Sequence, residues 1–417
     1  MPESAMESDG QSKGGWNMRR LLLIVLLAGL ALPALAKEEA KAAPVTVAQL
    51  EQMLTEAHGS PDADLAQKLA GVVLTERLNM VKLAELKAAL PGDKSREQLV
   101  MLADSAAFLP PPSTEIPADA PPDQAAARQM LTQVVNYVNT TTRQLPNFLA
   151  VRETTGFEDQ PQSDELGATG ITSVAAMPLH VVGKSSLPVT YRDHLEVVDT
   201  KAAKHGAYTG GLTSHGEFGP ILGLVVSDAL HGKITWGRWE QGAGGKAAVF
   251  LYSVPSDKSH YPVQFCCITE GFNNDGTLDK SVFRETVAYH GELAFDPADG
   301  SILRITMQAD LQPGELVSEA GIQVEYSLID IAGKKYTCPV RSVSRLKAHT
   351  AHQTGATSRS NYKGAETTYL NDVAFNQYHR FGSETRIMSD ESLNPGMPGG
   401  PSSADSTYAP PSRSVNH

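Results

Sequence analysis

Cysteine is scarce in this sequence, and its spacing argues against the common cysteine chemistries. The three cysteines are Cys266, Cys267 and Cys338. No C-x-x-C pair occurs, so neither a thioredoxin-like redox motif nor a cysteine-based zinc site is indicated. In an oxidising compartment, one long-range disulfide is consistent with this set, and the third cysteine is expected to be a small buried side chain.

The pairing of Cys338 is predicted from strand geometry. Alternate residues of a strand point to the same face. If the segment around the paired cysteines is a strand, the residues that share one face are Tyr261, Val263, Phe265 and Cys267. This arrangement favours a Cys267–Cys338 bridge. A Cys266–Cys338 bridge is the first alternative, and a strained bridge between Cys266 and Cys267 is the second.

Long hydrophobic runs are also missing, except for Leu21–Leu32. That run is shorter than the roughly 20 residues of a membrane-spanning helix. It follows Arg19 and Arg20 and precedes Ala34-Leu35-Ala36, which is the pattern of a secretory signal peptide cleaved before Lys37. We therefore predict residues 1–36 as a signal peptide, a soluble mature chain with no transmembrane span, and an extracytoplasmic location in the periplasm or outside the cell.

The charge balance does not favour nucleic acid as a partner. The formal net charge is −12, with 35 Lys and Arg against 47 Asp and Glu. A moderate acidic excess disfavours nucleic acid and anionic membranes as main partners, because both carry negative charge.

Motifs of catalysis and nucleotide binding are incomplete. Gly183-Lys184-Ser185 resembles the end of a phosphate-binding loop, but Pro178 stands where its first glycine is required, so we interpret it as a hairpin turn. Ser214-His215 lies close to Glu217, yet no nucleophile elbow is present. Glu217 is interpreted as an acid in the first turn of a helix. The sequence therefore predicts that the protein is not an enzyme.

Metal and cofactor motifs are similarly incomplete. The segment 273–279 is rich in oxygen ligands, but Arg284 occupies the position of the bidentate glutamate of a calcium loop. His349 and His352 lie in a polar stretch that we interpret as a solvated loop, and a zinc site needs three or four convergent ligands. We predict no metal and no cofactor.

The N-terminal part of the mature chain has helical periodicity. Apolar residues recur at helical spacing between Val45 and Leu109, with a turn at 58–61. This predicts three or four short helices in a module of residues 37–109. Residues 110–122 contain two proline clusters and are predicted to form an extended linker.

From residue 123 the pattern predicts one helix followed by a large antiparallel sheet. Asp123 caps a helix that runs to about Arg143. The period then becomes alternating, with hairpin turns at 296–300 and 332–334 and a short helix at 216–230. We predict an α+β domain over 123–388, with a curved, half-barrel-like sheet covered by helices, and a disordered tail over 389–417.

Four aromatic residues alternate on two adjacent predicted strands. They are Trp236, Trp239, Phe250 and Tyr252. Aromatic side chains on a strand are usually core residues. The alternative, which concerns function, is that these four line a ligand cavity beneath the covering helices.

One hairpin resembles that of a known protein family. The stretch Glu292–Thr306 contains Phe295-Asp296-Pro297-Ala298-Asp299-Gly300 between two alternating strands. It resembles the bacterial outer-membrane lipoprotein carriers and related lipoprotein-sorting proteins. The segments 214–219, 235–240 and 336–340 also look like those of uncharacterised exported bacterial proteins. The carrier resemblance implies a sheet wrapped around helices that holds acyl chains in an apolar cavity.

Together these observations predict a binding or carrier protein for an apolar ligand, such as a lipid or a lipoprotein acyl chain. The alternative is a structural or interaction protein of the cell envelope, in which the helical module presents a docking surface to an envelope protein.

Overall fold

The computed structural model describes residues 42–380, apart from 168–169, 194, 199–211, 213, 215, 243–244, 273–277, 313–314 and 354–360. The predicted signal peptide and the predicted disordered tail therefore lie outside the described residues. So does most of the segment considered above as a calcium loop.

Four helices form the N-terminal module, which we define as residues 43–109. Their bounds are α1 Val47–Glu56, α2 Asp62–Ala70, α3 Met80–Ala89 and α4 Asp93–Ser105. Helix α1 begins with a capping box, in which the Thr46 side chain accepts from the backbone of Gln49 and the Gln49 side chain accepts from the backbone of Thr46. Leu50, Leu69 and Leu99 are fully buried in a core of the module's own. The predicted set of short helices is confirmed.

The module also contains two short parallel strands that periodicity did not predict. Strand β1 is Ala43–Val45, and it pairs with β2, Val72–Leu74. The helical periodicity between Val45 and Leu109 includes Val72 and Val73 and predicts a helix there. Helix α2 instead ends at Ala70, and the backbone N–H of Gly71 donates to Lys68 O. The chain then extends because a β-branched pair follows glycine.

The centre of the molecule is an antiparallel sheet of ten strands. Its order is β7-β6-β3-β16-β15-β14-β13-β12-β9-β8. The strand bounds are β3 Phe148–Gln160, β6 Met177–Arg192, β7 Leu195–Val198, β8 Lys233–Gly242, β9 Gly245–Val254, β12 Tyr289–Phe295, β13 Ile302–Ala309, β14 Val317–Ile331, β15 Lys334–Gln353 and β16 Asn361–Arg380. The edge strands β7 and β8 do not meet, so the sheet is open. The predicted α+β class with a large antiparallel sheet is confirmed.

Two further hairpins extend from the sheet. They are β4 Ser163–Gly167 with β5 Gly170–Val174, and β10 Pro262–Phe272 with β11 Leu278–Thr286. Val263 of β10 packs against Leu346 and Ala348 of β15. The second hairpin therefore covers one end of the sheet.

Two helices cover the same face as that hairpin, which we call the inner face. Helix α5 spans Gln124–Gln144, and its cap is the predicted Asp123, whose Oδ1 accepts from Ala126 N at 2.8 Å. Helix α6 spans Pro220–His231 and begins four residues later than predicted, because proline favours the first helical position. Val134 and Val225 pack on Phe250 and Ile305 in the main core.

The predicted turn at 296–300 supports α5. Gly300 has φ +79°, and a Cβ at this position would lie 2.6 Å from the backbone carbon of Gln133 in α5. Glycine is therefore required both by its dihedral angle and by the close approach of the helix. The turn residues that sequence patterning identified thus also set the distance between helix and sheet.

The opposite, outer face of the sheet is covered by the N-terminal module. Val100 and Met101 of α4 pack on Phe157, Val343 and Leu370. The sheet is consequently enclosed by helices on both faces over part of its width.

The predicted linker packs along the sheet edge. Residues 113–115 form a single 3-10 turn, and Trp239 Nε1 of β8 donates to Ala120 O at 2.8 Å. Lys246 pairs with Asp119 at 3.4 Å. Pro111 and Pro112 are buried. Segment 110–122 therefore lies against β8 over much of its length.

The interpretation of Gly183-Lys184-Ser185 as a turn is wrong. These residues lie within β6 and pair with Gly156, Thr155 and Thr154 of β3. Glycine breaks the alternating pattern here without ending the strand, because Gly183 pairs with another glycine beside a register shift.

Candidate functional site

The four aromatic residues predicted as cavity lining lie in or beside the main hydrophobic core. Phe250 and Tyr252 are 2% and 3% exposed and pack beneath α5 and α6. Trp236 is half-buried, and its ring centroid lies 4.7 Å from that of Trp239 and 5.3 Å from that of Phe250. This is the packing of core aromatics, so the structure favours the core interpretation.

Cys338 is a free, buried thiol, so the structure does not contain the predicted Cys267–Cys338 bridge or its Cys266 alternative. Tyr261, Val263 and Phe265 do contribute to one cluster, as predicted, but that cluster contacts Leu346 of β15. Leu346 is eight residues beyond Cys338, which corresponds to about 26 Å along a strand. The alternation of side chains along β10 could not predict the partner of Cys338, because it does not determine where the hairpin meets β15.

The structure does contain an apolar cleft, between the N-terminal module and strand β6. Its volume is about 300 Å³, at the lower end of the range for small-molecule sites. Most of its lining is apolar. The main lining residues are Val72, Val73 and Leu74 of β2, Met101, Leu102 and Ala106 of α4, and Pro178 and Leu179 of β6.

The walls of the cleft belong to two separately built parts of the fold. Strand β2 and helix α4 share the core of the module, whereas β6 is part of the ten-stranded sheet. Val73 lines the cleft and remains 46% exposed. Periodicity along the chain does not reveal the cleft, because its walls come from segments more than a hundred residues apart.

Buried ion pairs hold the module on the outer face. Asp104 of α4 is fully buried and pairs with Arg341 of β15, whose Nε also donates to Asp372 Oδ1 at 2.8 Å. Burial raises the pKa of the Asp104 carboxyl, and the Arg341 guanidinium opposes that shift. Arg345 donates to Ser105 O at 2.9 Å. One end of α4 is thus fixed to the centre of the sheet.

A second network fixes the loop before α3. Arg77 of the module is 3% exposed, and its Nη2 lies 2.6 Å from Oε1 of Glu240 in β8. Arg304 forms a two-point contact with Glu240 at 2.7 and 3.1 Å. Although burial opposes it, Arg304 and Arg77 lower the pKa of Glu240 to about 2. Arg238 and Glu292 extend the network across neighbouring strands.

A third charged cluster lies on the inner face. Glu217 is fully buried, and its Oε1 accepts from Ser214 Oγ and from Ser342 Oγ and lies 3.4 Å from Arg152 Nη2. Arg152 also lies 3.5 Å from Glu196 of the edge strand β7. The interpretation of Glu217 as a helix first-turn acid is wrong, because α6 begins only at Pro220.

Metal ligation finds no support in the described side chains. Within the ranges given above, no group of three or more His, Cys, Asp and Glu side chains is placed to hold a metal ion. His349 lies in β15, and the predicted loop there is wrong.

The chain has no match among sequence families and only a weak similarity to two solved structures. No family model and no curated protein matches the sequence. Two solved structures, described as MucB in complex with MucA(peri) and as the Pseudomonas aeruginosa MucA/MucB complex, align with 59% of this chain. They align over 93% and 94% of their own chains, with 9% and 10% identity and a TM-score of 0.20 in both cases. A similarity of this degree carries no argument about function, and the carrier resemblance stays a prediction.

Across the described residues, none of the helices has both the length and the apolar content that a membrane span requires.

Proposed function

We propose that this protein is a non-catalytic, extracytoplasmic binding protein that holds an apolar ligand in the cleft between the N-terminal module and β6. The observation that carries this proposal is the apolar lining of a cleft of about 300 Å³. Ligand sites often lie where two parts of a fold meet, because neither part alone buries the ligand.

The chemistry of the lining favours an uncharged aliphatic or aromatic group over a polar one. Valine, leucine, methionine, alanine and proline side chains dominate it, and the polar exceptions are Gln98 and Ser105. Ser105 Oγ already donates to Met101 O at 2.8 Å. A charged ligand group would lose its hydration here without gaining a partner of opposite charge.

The export part of the proposal depends on the sequence pattern Arg19 to Ala36. Expression of the full chain in a bacterial host, followed by N-terminal sequencing of the exported protein, tests it. A mature chain that begins at Lys37 supports export with cleavage. Retention of the full chain in the cytoplasm would contradict it.

Ligand binding is tested with the apolar fluorescent probe N-phenyl-1-naphthylamine. We expect saturable binding to the wild-type protein. Val73→Glu places a half-exposed carboxylate in the cleft, and a bound probe would displace water from this charge without providing a partner. Binding should therefore weaken by at least about tenfold, which corresponds to about 1.4 kcal/mol. Val81→Glu is the matched control, because Val81 is similarly exposed in α3 and does not line the cleft.

Two results would overturn the proposed site. One is probe binding that never saturates, and the other is equal loss of binding in both variants. Saturable binding that is unaffected by Val73→Glu would place the ligand elsewhere in the fold. Absence of binding, together with capture of an envelope protein by the purified full-length mature chain, would favour the alternative of an interaction protein.

A further inference from the structure

Three charged side chains meet on the inner face, each from a different element. Arg152 lies in β3, Glu196 in the edge strand β7, and Glu217 in the turn before α6. The side chains of Glu196 and Glu217 are 7% and 0% exposed, and both carboxylates share the single guanidinium of Arg152. Two buried acids are therefore paired with one base.

The cluster connects the sheet edge to the middle of the inner face. Glu196 Oε2 accepts from Gly216 N at 3.2 Å, which ties the edge strand to the turn at 216–219. Gly216 has φ +93°, so this turn depends on glycine. Glu217 in turn contacts Ser342 of β15 at 3.3 Å, and its backbone oxygen accepts from Tyr326 of β14. Strand β7 is held by these contacts and by a short pairing with β6.

The charges of the cluster do not balance when both acids are ionised. Burial raises the pKa of the other titratable neighbours, Tyr326 and Tyr378, so both are neutral at physiological pH. Among the described residues, no side chain or backbone group donates a hydrogen bond to the buried Oε2 of Glu217. Counted over the residues that the structure describes, one excess negative charge therefore lies among three side chains that are at most 11% exposed. Burial is the main cause that raises the pKa of Glu196 to about 7, and repulsion from the Glu217 carboxylate is the second cause.

We propose that the Arg152–Glu196–Glu217 cluster is a proton-operated latch, which holds β7 and the turn at 216–219 on the sheet when Glu196 carries a proton and loosens when that proton leaves. The charged form of Glu196 is less well solvated in the closed arrangement than in an open one. Loss of the proton therefore shifts the local equilibrium towards opening at the β7 edge.

Opening of the latch would expose specific apolar residues. Phe218 follows Glu217 directly and is buried against Phe148 and Tyr191 of the two neighbouring strands. Leu195 and Val197 of β7 are already largely exposed. The edge would then present a larger apolar surface at alkaline than at acidic pH.

Hydrogen exchange of the full-length mature protein, read by mass spectrometry, tests the latch. We follow peptides that contain residues 195–198 and 216–219 at pH 6 and pH 8, and correct for the intrinsic pH dependence of exchange. For an acid that titrates near pH 7 when closed and near 4.5 when open, opening should be about tenfold more frequent at pH 8. Glu196→Gln, which keeps the acceptor and removes the charge, should abolish this difference.

Glu153→Gln is the matched control for Glu196→Gln. Glu153→Gln changes an exposed acid next to Arg152 and should retain the tenfold change. Exchange that is equal at both pH values in the wild type, or a pH dependence that persists in Glu196→Gln, would overturn the proposal. Sodium, potassium or calcium ions are added at pH 8 and constant ionic strength as a further test. If they restore protection from hydrogen exchange, a bound cation and not the proton closes the latch, which would also overturn the proposal.

Discussion

Asp104 and Arg341 form an ion pair that is buried between the N-terminal module and the ten-stranded sheet. They are 237 positions apart in the sequence. The pair lies beside the contacts of Val100 and Met101 with the sheet, and it helps to place α4 where it forms one wall of the apolar cleft.

Removing this pair should destabilise the protein strongly. Asp104→Ala leaves Arg341 buried with Asp372 as its remaining acidic partner, so we expect a loss of about 3 kcal/mol in the free energy of unfolding. Urea denaturation measures it. Glu97→Ala is the control, because Glu97 pairs with Lys184 across the same interface but both are exposed to solvent, and it should cost less than about 1 kcal/mol. Equal effects in the two variants would contradict the importance of burial.

Acid should weaken the second network. The pKa of Glu240 is about 2 in the folded protein and 4.5 for an ordinary glutamate. Its ionised form is therefore favoured by folding, and the resulting stability is present above pH 4.5 and lost as the pH falls towards 2. Glu240→Gln should lower the melting temperature at pH 7 and have less effect near pH 2. Thermal unfolding at a series of pH values measures this effect. Glu85→Gln is the control, because the side chain of Glu85 in α3 is 65% exposed. A difference in melting temperature between the wild type and Glu240→Gln that stays constant with pH would contradict the prediction.

Gly300 should tolerate alanine less well than Gly333 does. Both have φ near +80°, where alanine costs about 1 kcal/mol. Only at Gly300 would the added Cβ meet a helix backbone, at Gln133, whereas the space around Gly333 is open. Gly300→Ala should therefore cost about 1–3 kcal/mol more than Gly333→Ala. Chemical denaturation of both variants measures the difference, and equal losses would show that α5 does not approach the turn this closely.

Cys338 should be unreactive in the native protein. Burial raises the pKa of its thiol to about 12, so almost no thiolate forms at pH 8. Ellman's reagent should label Cys338 only after the protein is unfolded in guanidinium chloride. Peptide mapping without reduction gives the complementary measurement. A disulfide-linked peptide joining Cys338 to Cys266 or Cys267 would contradict the free, buried thiol at Cys338.

Local signals made several elements predictable. Asp123 before an apolar helical stripe marked the start of α5, and Asp296 to Gly300 between alternating strands marked the β12–β13 hairpin. Both depend on residues close in sequence, where capping and turn geometry act directly.

Long-range packing made the rest unpredictable. Ser214 is only three residues from Glu217, but Arg152 and Ser342 reach Glu217 only through the fold. The position of Cys338 relative to β10 likewise depends on where a hairpin lands on the sheet. Val72 and Val73 fit a helical pattern although they lie in a strand, because a short apolar run is compatible with either period.

The position of β16 has a consequence for how the molecule folds. This strand, residues 361–380, lies between β15 and β3, and β3 begins more than 200 residues earlier in the chain. The two halves of the sheet therefore cannot join until nearly all of the described chain is available. Such a high contact order predicts slow folding and a late, cooperative completion of the sheet.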